Sequence, residues 1–370
     1  MKILHLIGGG DVGGAKFHVL TLVRELGKYI DVKLVALRPG PFAEDARAMG
    51  IDVEVVNTGN IFRDIKKITA IIKKDGYEAI HCHGAKANML GAITRRFVNI
   101  PTVTTVHSDY RLDYLQSLPK RLSFGVINTI ALRFINYYVA VSNNFKNMLV
   151  KRGFKAERIF TVYNGIDFSK EPTPYSREEF AKKYGLDIKS DDILVGILGR
   201  FDPVKGMDTF IRAAKIVVSR SPSVKFILGG EGKQRKELEN LASSLGISSN
   251  VLFPGWINNA HEFMNCLDIN VLTSLSESFP YVILEGVLYK RATVSSNVGG
   301  ISDLIESGKN GYLFEPGDYK KLAEYLTELV NNDSLRREMG ERIYRKASAE
   351  FSLDNICKTH LDIYKNILGR

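Results

Sequence analysis

The sequence predicts an α/β protein made of two tandem doubly wound domains facing a central cleft. Three observations carry that prediction. Short, strongly apolar segments alternate with segments of helical spacing along most of the 370 residues, the pattern of a parallel sheet covered on both faces. The series breaks once, at Lys170-Glu-Pro-Thr-Pro-Tyr175, where two prolines among polar residues read as a linker. It then starts again, and a glycine turn follows the first strand of each series. Ligands of such sheets bind beyond the carboxyl ends of the strands.

In the first series, Lys2–Ile7 is an apolar run ending in glycines, and Gly14–Leu26 has helical spacing. Val32–Leu37, Val53–Val56, Ala79–Cys82, Thr102–Val106 and Tyr138–Val141 read as further strands, with helical segments between most of them. In the second series the strands are Ile193–Leu198, Val224–Leu228, Val251–Phe253, Ile269–Thr273 and Ala292–Val294. The C-terminal part is helical over Tyr319–Val330, Ser334–Glu350 and Leu353–Leu368. No short repeat or low-complexity tract interrupts the order. The domains therefore part between 170 and 171, giving 1–170 and, short of the last helix, 171–352.

Bulk properties bound the function. Hydrophobic residues make up 45% and charged residues 25% of the chain, an ordinary globular composition. No run reaches the roughly 18–20 apolar residues of a membrane span, and Met1–Ile7 lacks the features of a signal peptide. Three dispersed cysteines, Cys82, Cys266 and Cys357, imply no disulfide framework and fit a reducing cytoplasm. The charge is uneven. Residues 1–170 carry 25 Lys and Arg against 14 Asp and Glu, whereas residues 171–370 carry 26 against 27. A basic first half attracts anionic partners, whether nucleic acid, an anionic membrane or phosphorylated substrates. No nucleic-acid reading motif accompanies the charge.

The most informative stretch is Glu277-Ser-Phe-Pro-Tyr-Val-Ile-Leu-Glu285. Glu277 lies in a turn, and Glu285 lies on the helix that the turn opens. Pro280 suits the first helical position, where its missing N–H costs nothing. The amides of Tyr281 and Val282 then point out of the positive end of the helix, toward a phosphate. A polyol on either side of that anion has a carboxylate to meet, which is the layout of a nucleotide-sugar.

Three glycine turns surround this stretch. In Gly8-Gly-Gly-Asp-Val-Gly-Gly14, the glycines Gly8, Gly10 and Gly13 fit a dinucleotide fingerprint. The acidic residue expected about 20 residues further on is missing, and Arg38 stands near its place, so a phosphorylated dinucleotide stays open. In Gly199-Arg200-Phe-Asp-Pro-Val-Lys205-Gly206, two cations flank a turn at a strand end, suited to a diphosphate. Asn297-Val-Gly299-Gly300-Ile-Ser-Asp303 opens another helix and should face the same cleft.

His107 ends the strand Thr102–Val106 and is placed to meet a sugar. His81 and His83 share one strand face, but no further Cys or His lies near them in the sequence, so they are not read as a metal site. His5 is read as packed inside its strand, and His18, His261 and His360 carry no signal. No Asp-x-Asp in a loop at a strand end offers to carry a metal. Cationic side chains and a helix N-terminus stabilise a leaving diphosphate without one.

Taken together these residues resemble the retaining, two-domain glycosyltransferases of family 4 (glycosyl transferases group 1), whose Rossmann-like domains form the GT-B fold. The resemblance rests on Gly13-Gly14, Thr105-Val-His107, Val141-Ser142, Tyr163-Asn-Gly-Ile-Asp167, Gly199-Arg200 with Lys205-Gly206, Glu277 through Glu285, and Asn297-Val-Gly299-Gly300. It implies that Arg200 and Lys205 bind the donor diphosphate and support its departure. Glu277 would contact the donor sugar near the anomeric carbon. Phe279, Tyr281 and Val282 would offer backbone amides, and Glu285 would hold the ribose. His107, Gly13 and Gly14 would close on the donor from the first domain, while Gly299 and Gly300 would line the same site. It implies no metal and no cofactor, a UDP-sugar as the commonest donor, and reaction on one face of the sugar without a covalent intermediate. It also implies that the last helix, 353–370, returns to the first domain. One departure is Pro280, at or next to a position where the family often has glycine, which removes an amide donor.

The acceptor is expected on the basic first domain. Tyr110-Arg-Leu-Asp-Tyr114 and Lys120-Arg121 precede an apolar stretch ending near Ile135, a combination that can lie on an anionic bilayer. The expected enzyme extends a lipid-linked or other cell-surface glycan at the cytoplasmic face of the membrane. The competing readings are a nucleotide-sugar epimerase of the same fold and a dinucleotide-binding oxidoreductase.

Overall fold

The structure, a computed structural model, describes residues 1–9, 14–110, 125–169 and 173–370. The chain divides into two compact units. The first is Met1–Asn164 together with Leu353–Arg370, and the second is Gly165–Ser352. The division thus falls before the proline-containing segment, of which residues 170–172 lie outside the described residues.

The first unit holds a seven-stranded sheet of β1 (Lys2–Ile7), β2 (Asp31–Ala36), β3 (Val53–Val55), β4 (Ala79–His83), β5 (Thr102–Val106), β6 (Tyr137–Ala140) and β7 (Ile159–Thr161), in the order β3-β2-β1-β4-β5-β6-β7. Every neighbouring pair is parallel. β4 and β5 are buried along their whole length, as expected of central strands covered on both faces. The direction of winding reverses between β1 and β4, so the connections leaving these two strands diverge and open a crevice at their carboxyl ends. On one face the C-terminal helix, Leu353–Leu368, packs with the Gly14–Leu26 helix. Ile356, Cys357, Ile363 and Tyr364 are buried there among Ile3, Leu22, Leu26, Val103 and Val139. This face cannot close without the last 18 residues of the chain, Leu353–Arg370.

The second unit holds β8 (Ile193–Leu198), β9 (Val224–Gly229), β10 (Val251–Gly255), β11 (Ile269–Leu272), β12 (Ala292–Ser296) and β13 (Tyr312–Phe314), in the order β10-β9-β8-β11-β12-β13, all parallel. Alternate residues of β8 feed opposite cores. Val195 and Ile197 join Phe210, Phe226 and Val271, while Leu194 joins Phe180, Ile227 and Phe263. Here the switch point lies between β8 and β11. The Tyr281–Leu288 helix is drawn close to β11 at Gly286, where an added Cβ would stand 2.3 Å from the Asn270 amide nitrogen. Asn270 in turn donates to the Val282 carbonyl at 3.3 Å.

The sequence reading has no strand at Ile159–Thr161 or Tyr312–Phe314. Both are three-residue edge strands.

Candidate active site

In the second unit the loops after β8 and β11 are tied together by their own backbones. Gly206 has a left-handed backbone, and a Cβ there would lie 2.4 Å from the Thr273 carbonyl oxygen. Thr273 Oγ1 donates to the Lys205 carbonyl at 2.9 Å, and the Leu275 amide donates to the Val204 carbonyl at 2.8 Å. This fastening brings Lys205 to Glu277. Lys205 Nζ lies 2.5 Å from Glu277 Oε1, and Ser274 Oγ donates to the same oxygen at 2.7 Å. An ammonium has three donors, so the pair leaves Lys205 able to bind an anion as well. Arg200, on the same loop, is exposed and forms no ion pair or hydrogen bond through its side chain among the described residues.

Glu277 is held from a second side. Gly299 is also left-handed, with φ of 60°, and an added Cβ would stand 2.3 Å from the Glu277 carbonyl oxygen and 2.4 Å from that of Ser278. The Gly300 amide donates to the Ser278 carbonyl at 2.8 Å. The sequence placed Gly299 and Gly300 against the donor. In the structure they also brace the Glu277 turn, and the Gly300 amide is already engaged.

The helix after this turn starts at Tyr281. Pro280 is its N-cap, in an extended conformation, rather than its first helical residue, and its side chain makes no capping hydrogen bond. A proline cap has no hydroxyl or carboxylate to satisfy the first-turn amides. Phe279 is buried and stacks on Phe351, ring centroids 5.1 Å apart, so its side chain is committed to packing. Glu285 lies one helical turn beyond Tyr281 and is half-buried. Burial pushes its carboxyl up to about 7, while burial and the neighbouring Glu285 push the Tyr281 phenol up.

In the first unit a pocket of about 190 Å³ opens at the ends of β1, β4 and β5, lined in part by His83, Thr105, His107, Ser108 and Asn128. The turn after β5 is anchored by Asp109, whose two carboxylate oxygens accept from the Arg152 guanidinium at 2.7 Å each. Arg152 also lies over the Tyr110 ring, 4.9 Å from its centroid. Gly14 begins the first helix. Gly13 lies outside the described residues, as does the basic stretch 111–124 apart from its flanking Tyr110.

The histidines depart from the sequence reading. His81 and His83 are not an isolated pair. His5 lies against both, ring centroids 4.8 Å from His81 and 5.3 Å from His83, and rings of His18, His107 and His360 lie within reach, with His81–His83 centroids 4.5 Å apart and His18–His107 centroids 4.8 Å apart. Six of the seven histidines therefore gather in one unit. The signal was the register. His5 pairs with His81 in the parallel ladder, and Ile7 pairs with His83, but adjacency of β1 and β4 has to be known first. Burial holds these rings neutral, pressing His107 and His360 down to about 4 and, with the help of the His360 imidazole, His5 to about 3. Ring nitrogens of His5, His81 and His83 lie within 4.8 Å of one another. All six nitrogens of these three rings, however, take part in hydrogen bonds within the protein, whereas zinc needs free lone pairs at about 2.0–2.1 Å.

Comparison with known proteins gives the following. Residues 177–346 match the family described as glycosyl transferases group 1, and residues 12–170 match glycosyltransferase family 4. The chain is 24% identical over 352 residues to the Escherichia coli UDP-Gal:alpha-D-GlcNAc-diphosphoundecaprenol alpha-1,3-galactosyltransferase, covering 91% of this chain and 90% of the other. It is 29% identical over 310 residues to the N-acetyl-alpha-D-glucosaminyl L-malate synthase of Bacillus anthracis, covering 82% and 78%. The crystal structure of Anabaena HepE in complex with UDP-glucose superposes with a TM-score of 0.83 at 25% identity, covering 99% of this chain and all of that one.

Proposed function

Because this chain belongs to the GT-B glycosyltransferases of group 1 and family 4, we propose that it is a retaining enzyme that moves a hexosyl or N-acetylhexosaminyl unit from a UDP-sugar to a hydroxyl of a glycan or lipid-linked acceptor in cell-surface polysaccharide synthesis. The observation that carries the reading is the arrangement around the β8–β11 switch point. There an ion-paired Lys205 and Glu277, the exposed Arg200 and the start of the 281–288 helix occupy adjoining loops. The UDP-Gal in the name of the Escherichia coli relative and the UDP-glucose bound to HepE support the choice of base.

In this reading Arg200 and Lys205 neutralise the donor diphosphate, and the first amides of the 281–288 helix, with the Phe279 backbone, add the helix dipole to that charge. Glu285 accepts from the ribose hydroxyls and Glu277 from a sugar hydroxyl. The anomeric C–O bond breaks with its electron pair going to the diphosphate. The acceptor oxygen bonds to the same face of the anomeric carbon, and its proton passes to the departing phosphate oxygen. The charge that grows on the leaving group is met by two cations and a helix end. Each such interaction is worth roughly 3–4 kcal/mol in a shielded site, so no metal ion is needed.

The acceptor side rests on the first unit. Phe97 and Ile130 are 59% and 55% exposed, and with Ile93, Val126, Ile127 and Phe134 they present an apolar face beside Arg95 and Arg96. A groove of about 320 Å³ runs between Met89, Ile93, Arg96, Ile127, Ile130 and Phe134. Apolar side chains ringed by arginines suit an anionic bilayer surface, where a lipid-linked acceptor resides. Among the described residues no helix is long and apolar enough to cross a membrane.

The test is a thermal-shift panel with UDP, GDP, ADP and dTDP, then UDP-sugars. A ligand at a hundred times its Kd adds about 2.7 kcal/mol of stability, so stabilisation by UDP alone fixes the donor class. Stabilisation by none overturns the reading, and turnover of a UDP-sugar without acceptor would mark an epimerase. Sedimentation with phosphatidylglycerol vesicles at rising salt tests the surface. Ile130→Asp should abolish pelleting, and absence of the wild type from the pellet at low salt would remove the membrane part.

A further inference from the structure

We propose that Tyr364, His5 and His83 are positioning residues that hold His107 in its Nε2–H tautomer, with a bare lone pair on Nδ1. The task of His107 at a sugar rests on the glycosyltransferase reading, but its tautomer does not.

The buried histidines form one continuous path. Thr105 Oγ1 and His81 Nε2 are 2.8 Å apart, and His81 Nδ1 and the Tyr364 hydroxyl are 2.6 Å apart. That hydroxyl is 3.3 Å from His5 Nε2, His5 Nδ1 is 3.1 Å from His83 Nε2, and His83 Nδ1 is 3.3 Å from His107 Nε2. A neutral imidazole has one donor and one acceptor nitrogen, and a phenol has one proton to give. With the phenol proton spent inside the path, as burial of that hydroxyl between two ring nitrogens favours, fixing the proton in any one of these bonds fixes it in all the others, and two orders exist.

The lengths choose between them. Hydroxyl donors make shorter contacts, about 2.5–3.0 Å, than ring N–H donors, about 2.7–3.2 Å. The Tyr364 hydroxyl is much nearer to His81 than to His5, so it donates to His81 Nδ1. His81 then carries its proton on Nε2 and donates to Thr105. The Tyr364 oxygen accepts from His5 Nε2–H, which leaves His5 Nδ1 to accept from His83 Nε2–H. His83 Nδ1 in turn accepts from His107 Nε2–H. The exit of the chain, His107 Nδ1, has no proton and accepts a hydrogen bond from a substrate hydroxyl in the pocket that His107 lines. Burial disfavours an added proton on every ring, so the order is not scrambled near neutral pH.

The rings of His5, His81 and His83 also stand close enough to recommend a metal, but a metal would take the lone pairs that the chain uses. The two arrangements exclude each other.

The experiment is long-range ¹H–¹⁵N correlation spectroscopy of the full-length protein with ¹⁵N-labelled histidine at neutral pH, without substrate. The expected result is the Nε2–H signature for His107, His83, His5 and His81. In Tyr364→Phe, which keeps the ring and removes the hydroxyl, His107 loses that single signature and becomes a mixture, and kcat falls while KM for the donor holds. Tyr138→Phe is the control, because that buried hydroxyl bonds only to the Leu132 and Ile135 carbonyls. It should leave His107 unchanged. An Nδ1–H signature for His107 in the wild type overturns the proposal even if the variant does not fold. An unaltered His107 in Tyr364→Phe, or one firmly held zinc per chain, overturns it as well. Failure of UDP to bind would remove the donor reading and leave the tautomer result standing.

Discussion

Glu285 is a carboxyl whose protonation reports on its own role. Burial raises it from 4.5 to about 7, so the folded protein holds this proton where the unfolded chain has released it. Its contribution to stability is complete below pH 4.5 and is lost as pH rises through about 7. Glu285→Gln is therefore expected to melt above the wild type at pH 8, with the gap closing by pH 5. Nucleotide binding should move the other way. Ribose hydroxyls favour the carboxylate, so wild-type affinity for UDP increases from pH 6 to pH 8. The glutamine variant should show a flat profile and, at pH 8, a loss of about 1.5 kcal/mol, the lower end for a hydrogen bond to a charged group. Calorimetric titration at both pH values checks this, and a flat wild-type profile would remove Glu285 from the ribose. Arg200 makes the complementary case. It is exposed and, among the described residues, unpaired, so Arg200→Ala should shift stability by no more than about 0.5 kcal/mol. Turnover should nonetheless drop by roughly a hundredfold or more, the usual effect of removing one stabiliser of a leaving group. Glu277, both cations and His107 could be picked out from the sequence as candidates because each sits in a loop beyond a strand, and Glu285 because it lies one turn into the helix that the Glu277 turn opens. The pairing of Lys205 with Glu277 could not, since it depends on β8 and β11 being neighbours across 72 residues of chain.

At the scale of elements, the turn carrying Glu277 is a designed packing of backbone on backbone, and glycine is its hinge of tolerance. Gly299→Ala combines a strained positive φ with a Cβ driven into two carbonyl oxygens. Gly308→Ala, also at positive φ but with nothing within 4 Å of its Cβ, separates the two effects. Strain alone costs about 1–2 kcal/mol, so Gly308→Ala should lose that much stability and keep its activity. Gly299→Ala should lose more stability and almost all activity, because Glu277 must shift. Steady-state kinetics with chemical denaturation decides the matter, and an active Gly299→Ala would show that the turn does not place Glu277. The helices and central strands were legible because burial on both faces leaves long apolar runs. The edge strands β7 and β13 were not, whereas β3, equally short, was. Pro280 reads equally well as the first residue of a helix or as its cap, and only the backbone conformation separates the two. The histidine chain shows the same limit more sharply. Each residue is visible in the sequence, but their meeting requires the β1–β4 register and the return of the last helix.

At the scale of the whole molecule, the two units differ in how they are closed. Among the described residues, the core of the second unit draws only on those between Gly165 and Ser352, on both faces of its sheet. The core of the first unit includes Ile356, Cys357, Ile363 and Tyr364 from the far end of the chain. Burying a side chain of that size contributes about 1.5–3 kcal/mol, so removing Ile356, Ile363 and Tyr364 forfeits roughly 5–9 kcal/mol. A domain has about 5–15 kcal/mol in total, so the loss is of the order of the whole. A chain ended after Ser352 should therefore show by calorimetry a single cooperative transition, that of the second unit, and the isolated fragment 165–352 should melt at the same temperature. That fragment should also bind UDP, because Arg200, Lys205, Glu277, Glu285 and the helix start at Tyr281 all lie within it. The complementary fragment 1–164 should be unable to hold native structure alone and should regain it when the peptide 353–370 is added, with Tyr364→Phe in the peptide costing far less than Tyr364→Ala. A truncated chain that keeps a second transition would show that the C-terminal helix merely covers the first unit. If that transition is lost, the helix is part of its core, and the face that carries His107 is assembled only when the end of the chain has come home.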